Sequence, residues 1–203
     1  MIVCLDLHDF SATNNRLDLL LRLKREYPNF KVSLFTVPEE KGDWGATLIR
    51  SESLEKIKEN LDWIQIIPHG IRHDGSEVKV WDYHFTKEIA IPYIEKVFAK
   101  DDLPFEKGFC APHWRWNNEV VKALNDLDWW GAVDPRQPLM PCPNKFYKYS
   151  HVIDAPFPTE GEVKLHGHIY GTKNDLGLCF KNLLTIPLSA EWHFVTDFLE
   201  DKV

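Results

Sequence analysis

No apolar run in this chain is long enough to cross a bilayer, and the N-terminus carries no leader pattern, because a strand-like segment begins at once and reaches Asp6. The expectation is therefore a cytoplasmic protein with no membrane partner. Basic residues are in deficit, 24 against 31 acidic ones, for a net charge of −7, with no Lys/Arg-rich run. That argues against nucleic acid as a partner. The cysteines number only four, Cys4, Cys110, Cys142 and Cys179, and form no C-x-x-C pair. This excludes a zinc ribbon and a disulfide framework and fits free thiols in a reducing compartment. Neither a repeat nor a low-complexity segment is present.

What remains is an ordinary globular balance, 44% hydrophobic and 27% charged, with a length that suits a single domain over 1–203. Tryptophan is plentiful at eight residues, more than a core of this size needs, and surplus indole faces suit a carbohydrate or aromatic-ligand groove.

Strand and helix patterns alternate. Ile2–Leu5 reads as a buried strand, and Thr13 is placed to cap a helix that runs to Tyr27, ahead of Pro28. A second strand is expected over Phe30–Val37, a loop at Gly42–Gly45, a helix from about Ala46 to Asn60, and a third strand over Trp63–Ile67. A helix follows over Thr86–Lys100, kinked or split at Pro92, then strands at Lys107–Ala111 and Trp129–Val133 around a helix capped by Asn117 or Asn118. The stretch Pro135–Pro158, with six prolines, reads as a long ordered loop. Val163–Ile169 reads as a strand, Leu183–Leu188 as a further one, and Ser189 as the cap of a last helix to Glu200. Such alternation predicts an α/β fold with mainly parallel strands.

The chemistry-bearing residues collect where these strands end: Asp6, His8 and Asp9; His69 and His73; Pro112 and His113; and Asp134. In parallel α/β folds that edge is where sites are built. His69 and His73 lie four apart behind a strand, with Pro68 ending it and Gly70 permitting a sharp turn. Two imidazoles delivered to one spot invite a divalent ion, and Asp9 or Asp6 would supply the oxygen ligand. Two histidines and one carboxylate leave coordination positions open, as hydrolytic chemistry requires.

The order Leu5-Asp6-Leu7-His8-Asp9, His69-Gly70-Ile71-Arg72-His73, Gly108-Phe109-Cys110-Ala111-Pro112-His113-Trp114 and Val163-Lys164-Leu165-His166-Gly167-His168 resembles the polysaccharide deacetylases of the NodB type, carbohydrate esterase family 4. The resemblance runs to about His168. It implies an irregular (β/α) barrel of about seven strands, NodB-like, and a metal-dependent hydrolase that removes N-acetyl groups from a sugar or polysaccharide. Carried over by position, Asp9, His69 and His73 are metal ligands, with zinc as the ion, Asp6 is the general base, and His166 is the general acid. His166 is preferred to His168 because it follows Leu165 as the family histidine follows its apolar strand. Trp81, His113, Trp114 and Trp116 are the candidates for substrate contact. The chain departs from the family in three places. Leu7-His8 separates aspartates that are usually adjacent, Cys110 replaces an arginine that orients the base, and His113 replaces a tyrosine. Arg115 or Arg72 would have to take over the arginine's task. Two other readings stay open: a different carbon–nitrogen bond, cyclic or linear, as substrate, and a catalytically silent member that only binds sugar.

Overall fold

The structure is a computed structural model and describes residues 1–11, 13–39, 53–100 and 102–202. The loop expected at Gly42–Gly45, and most of the first half of the helix expected from Ala46, lie outside the described residues.

The chain builds β1 (Ile2–Phe10), α1 (Leu17–Glu26), β2 (Val32–Thr36), α2 (Ser53–Lys58), β3 (Ile64–Pro68), α3 (Tyr83–Phe85), α4 (Ile91–Lys100), β4 (Gly108–Cys110), α5 (Asn118–Asp126), β5 (Trp130–Val133), β6 (Lys145–Lys148), β7 (His151–Val152), β8 (Glu162–His168), α6 (Leu176–Leu183), β9 (Glu191–His193) and β10 (Glu200–Asp201). One sheet has the order β3-β2-β1-β8-β7, with β9 beside the first residues of β1; the other runs β10-β6-β5-β4. Every pairing is parallel except β10 with β6. The sheets meet edge to edge where the Glu106 amide donates to the Ile66 carbonyl, 2.9 Å. β6 passes into β7 through Tyr149 and Ser150. The strands thus curve round an interior as an irregular barrel, and among the described residues no ladder closes it at the β3/β4 or β6/β7 seam.

Strand periodicity sorts the side chains. On β1, Val3, Leu5 and Leu7 join the main core under the helices, with Leu20, Leu23, Ile94 and Leu124. Cys4 faces inward and packs with Phe35, Ile67, Cys110, Trp130, Ala132, Tyr147 and Tyr149. This second cluster fills the barrel, and Asp6 and His8 stand above Cys4 in the same column. Gly108 is needed for close approach, since a Cβ there would lie 2.2 Å from the Trp130 ring.

Several expectations are corrected. The α1 cap is not Thr13: the helix starts at Leu17, whose amide is met by Asn15 Oδ1 at 3.2 Å, after Arg16 in a left-handed turn. The helix expected over Thr86–Lys100 does divide beside Pro92, into a π-helical turn over Thr86–Ala90 and α4 from Ile91. Two short strands, β6 and β7, lie within the proline-rich stretch. Leu183–Leu188 is no strand: α6, capped by Asp175, ends at Leu183. The last helix is absent because Glu191–His193 pairs with β1, which buries Trp192 against the core. Among the described residues no helix is long and apolar enough to cross a membrane.

Candidate metal centre and its buried dyad

The C-terminal ends of β1, β3, β5 and β8 open on one rim, and the expected ligands meet there. Asp9 sits at an irregularity in the β1–β2 register, with φ at 61°, which turns its carboxylate toward β3. Its Oδ1 lies 3.3 Å from His69 Nε2 and 3.1 Å from His73 Nε2. Gly70, at φ 67°, makes the turn between the two histidines; a Cβ there would meet Pro112 Cγ at 2.5 Å. Glu77 holds the same turn by accepting from the Ile71 amide at 2.6 Å and the Arg72 amide at 3.2 Å. His73, His113 and Trp114 also have positive φ, at 55°, 55° and 59°. Strained backbone of this kind collects at functional rims.

The proton positions follow from the partners. His69 Nδ1 lies 3.0 Å from the Cys110 carbonyl, which can only accept, so Nδ1 carries the hydrogen and Nε2 presents a bare lone pair to Asp9. Asp9 Oδ1 is buried without a hydrogen-bond partner. A carboxylate oxygen and an imidazole lone pair are thus both acceptors pointed at one place, where a divalent cation satisfies them. The residues fit a metal ion. Burial pushes the Asp9 carboxyl up, but the nearby imidazoles of His69, His73 and His168 outweigh it and hold the group below the usual carboxylate range. Burial first, and then the neighbouring His69, lower His73 to about 4.

Beneath this triad lies a second cluster. Asp6 is 1% exposed, and both of its oxygens are engaged. His166 Nδ1 donates to Oδ1 at 2.6 Å, and the Tyr147 hydroxyl donates to Oδ2 at 2.9 Å. With its proton on Nδ1, His166 presents Nε2 away from Asp6. Tyr149 stacks on the His166 ring at 4.6 Å and 23°, and is fixed in turn by donating its hydroxyl to Asp134 Oδ1 at 2.8 Å. His8 stands between the clusters, its ring 4.8 Å from that of His69 and 4.6 Å from that of His166. Its Nε2 is 3.3 Å from Asp6 Oδ1, poorly aligned for a hydrogen bond, and has no partner. Burial drives the His8 pKa well down, against the pull of Asp6. Cys110 turns a neutral thiol toward His8 Nδ1 at 3.9 Å.

The other expected residues divide. Trp114 is half-buried, with its ring 4.9 Å from His8 and 5.4 Å from His166. His113 is exposed, with its ring 5.0 Å from His73. Trp116 is buried against Phe109. Trp81 is buried between Phe85 and Phe109, away from the rim. His168 stays on the rim, hydrogen-bonded to Asn174 at 2.9 Å. Arg115 donates to the Gly75 carbonyl and Arg72 to Glu39, so neither reaches Asp6 or His8. Sequence reasoning missed Tyr147 and Tyr149. Their spacing of two is the strand period, but it was hidden among prolines. Beside the triad, a polar cleft of about 360 Å³ is lined by Asp9, Ser11, Asn14, Arg72, His73 and Tyr170.

No protein-family model and no curated protein matches this chain in sequence. Its structure, however, is similar to solved carbohydrate esterases of family 4 and to chitin and peptidoglycan deacetylases. The chitin deacetylase of the fungal pathogen Colletotrichum lindemuthianum superposes with a TM-score of 0.64 at 12% identity, covering 99% of this chain and 88% of the other. A family 4 acetyl xylan esterase from Clostridium thermocellum, solved with a cobalt ion, gives 0.61 at 12% identity, covering 97% and 89%. A family 4 pseudoenzyme from Bacillus anthracis gives 0.56 at 13% identity, covering 97% and 64%. At these identities the likeness establishes the fold, which is the NodB-like α/β fold of that family.

Proposed function

We propose that this protein is a metal-dependent hydrolase that removes an N-acetyl group from an acetylated sugar. The observation that carries the reading is the convergence of Asp9 Oδ1 and the His69 lone pair, with His73 Nε2, on one point above the Asp6–His166 pair. A divalent ion held by Asp9, His69 and His73, with zinc the first candidate, would polarise the amide carbonyl and make water a better nucleophile. The rest falls to the chain. His8 Nε2, buried and without a hydrogen-bond partner, would take the proton of the attacking water in place of Asp6, whose two oxygens are both engaged; the Asp6 carboxylate faces both His8 and His166 and stabilises positive charge on either ring. His166 holds a proton at Nε2 for the leaving nitrogen, while Asp6 and the stacked Tyr149 fix its ring. As the carbon–nitrogen bond breaks, the water's hydroxyl completes acetic acid and the nitrogen leaves as a free amine. The polar cleft beside Asp9 and His73 suits sugar hydroxyls. The unpaired thiols suit a reducing compartment, and we place the reaction in the cytosol.

A second reading has one observation in its favour. The buried, neutral Cys110 stands where the resembled family has an arginine, and among the described residues no other arginine fills that place. A silent sugar binder would share this feature, as would an enzyme acting on another amide. One screen separates the three. Purified protein is stripped with chelator, reloaded with zinc or cobalt, and assayed for acetate release from acetylated oligosaccharides and small amides. Release from oligosaccharides only in the reloaded protein supports the proposal, release from small amides alone shifts the substrate, and no release from either favours the binder.

A further inference from the structure

The proline-rich segment that follows β5 has a role the metal site does not use. It forms the outer wall of a cavity of about 330 Å³ lined by Trp114, Trp116, Val133, Pro138, Met140 and Phe146. An aromatic ring needs roughly 150 Å³ of apolar space, so the cavity holds one ring with room for a substituent. Its two charged residues, Asp134 and Lys148, are already engaged, and the buried Trp116 Nε1 is left without a partner. Asp134 is held by Arg136 at 2.9 Å and by Tyr149, and burial, the first influence on it, is outweighed by those bonds, which leave its pKa at about 2. Lys148 pairs with Glu200 at 2.7 Å. A sugar ring would find few unengaged donors or acceptors there, whereas an apolar group would lose nothing by entering.

The wall is set before any ligand arrives. Pro135, Pro138, Pro141 and Pro143 fix φ at four positions in nine residues. Pro143 is buried over Gly131, where a Cβ would meet it at 2.6 Å, and the Asn144 amide is tied to Asn125 at 2.8 Å. Leu139, between two lining residues, is 98% exposed. The cavity also adjoins the reaction site across Trp114. Trp114 lines it and at the same time lies against His166, the residue proposed to face the leaving nitrogen. The occupant is therefore placed on the amine side of the scissile bond.

We propose that this pocket binds an aryl or branched-alkyl group carried on the amine side of the amide, so that the natural substrate is an N-acetylated sugar bearing an apolar substituent. This rests on the hydrolase reading, but the pocket can be tested without turnover. The probe is 4-fluoroacetanilide, followed by fluorine NMR on the zinc-loaded and the chelated protein. The expected result is saturable binding in both, weakened at least about tenfold in Met140→Lys and in Phe146→Gln, where a charge or an amide must be buried against the ring. No binding by the parent protein, or binding unchanged in both variants, overturns the proposal. Binding with no acetate release from any amide leaves the pocket standing and sinks the hydrolase reading. Acetate release from oligosaccharides without probe binding does the reverse.

Discussion

Replacing Asp6 with asparagine tests the interior of the site. Asp6 and His166 are each 1% exposed, and their 2.6 Å contact is a buried, charge-assisted hydrogen bond. An asparagine whose oxygen still accepts from Tyr147 turns its NH2 toward His166 Nδ1. It then offers a donor where the protonated ring also needs to donate. The acid form of His166 loses its partner, and general acid–base assistance is worth about 10²–10⁴ in rate. At about 1.36 kcal/mol per decade, that is a loss of about 2.7–5.4 kcal/mol of transition-state stabilisation. The assay is kcat/KM for acetate release, paired with a zinc titration, because Asp9, His69 and His73 do not touch Asp6. The expected outcome is a large fall in rate with metal uptake intact. Since Asp6 acts in part through His166, Asp6→Asn added to His166→Ala costs far less than it does alone. Fully multiplicative losses, or full activity in Asp6→Asn, would refute the argument.

Three further outcomes follow from the same geometry. Gly70→Ala forces a Cβ into the left-handed region at about 1–2 kcal/mol and toward Pro112 Cγ at 2.5 Å; zinc affinity by calorimetry is expected to fall about tenfold or more. Tyr147→Phe leaves Asp6 Oδ2 buried without its donor, for a loss of about 1–3 kcal/mol read as a fall of several degrees in Tm. In chelated protein, stability falls with acid. Burial is the first cause that lowers His8, His73 and His168 from the ordinary value of 6.5, His73 to about 4. The unfolded chain therefore binds more protons than the native state in that window, so stability is full above pH 6.5 and drops as pH falls toward 4. Asp6 and Asp9, held low, add losses only at stronger acidity. A Tm that stays flat from pH 7 to pH 4.5 contradicts this assignment.

Much of the rim could be read from the chain because the signals were local. His69 and His73 follow a continuous apolar strand with Pro68 and Gly70 at the turn, and parallel α/β order places such ends together. The depth of Asp6 was not legible. Inward-facing residues on β1 step by two, about 6.6 Å along the strand, so Asp6 lies one layer below His8, against a tyrosine more than a hundred residues away. That contact depends on β6, whose four residues are flanked by prolines and carry no long periodic signal. The reach of Asp9 depends on a register shift and a positive φ, which no residue pattern announces. β9 was missed because Glu191-Trp192-His193 alternates over only three residues, and its pairing with β1 is a tertiary choice.

The central claim is that Asp9, His69 and His73 hold a divalent ion. Titration of chelated protein with cobalt(II), followed by visible absorption and calorimetry, tests it most directly. The account predicts one ion per chain with the bands of a low-coordinate nitrogen–oxygen site, and loss of that binding in both Asp9→Ala and His69→Ala, with each variant still folded by circular dichroism. Undiminished cobalt binding in both variants, or none in the parent protein, would contradict it.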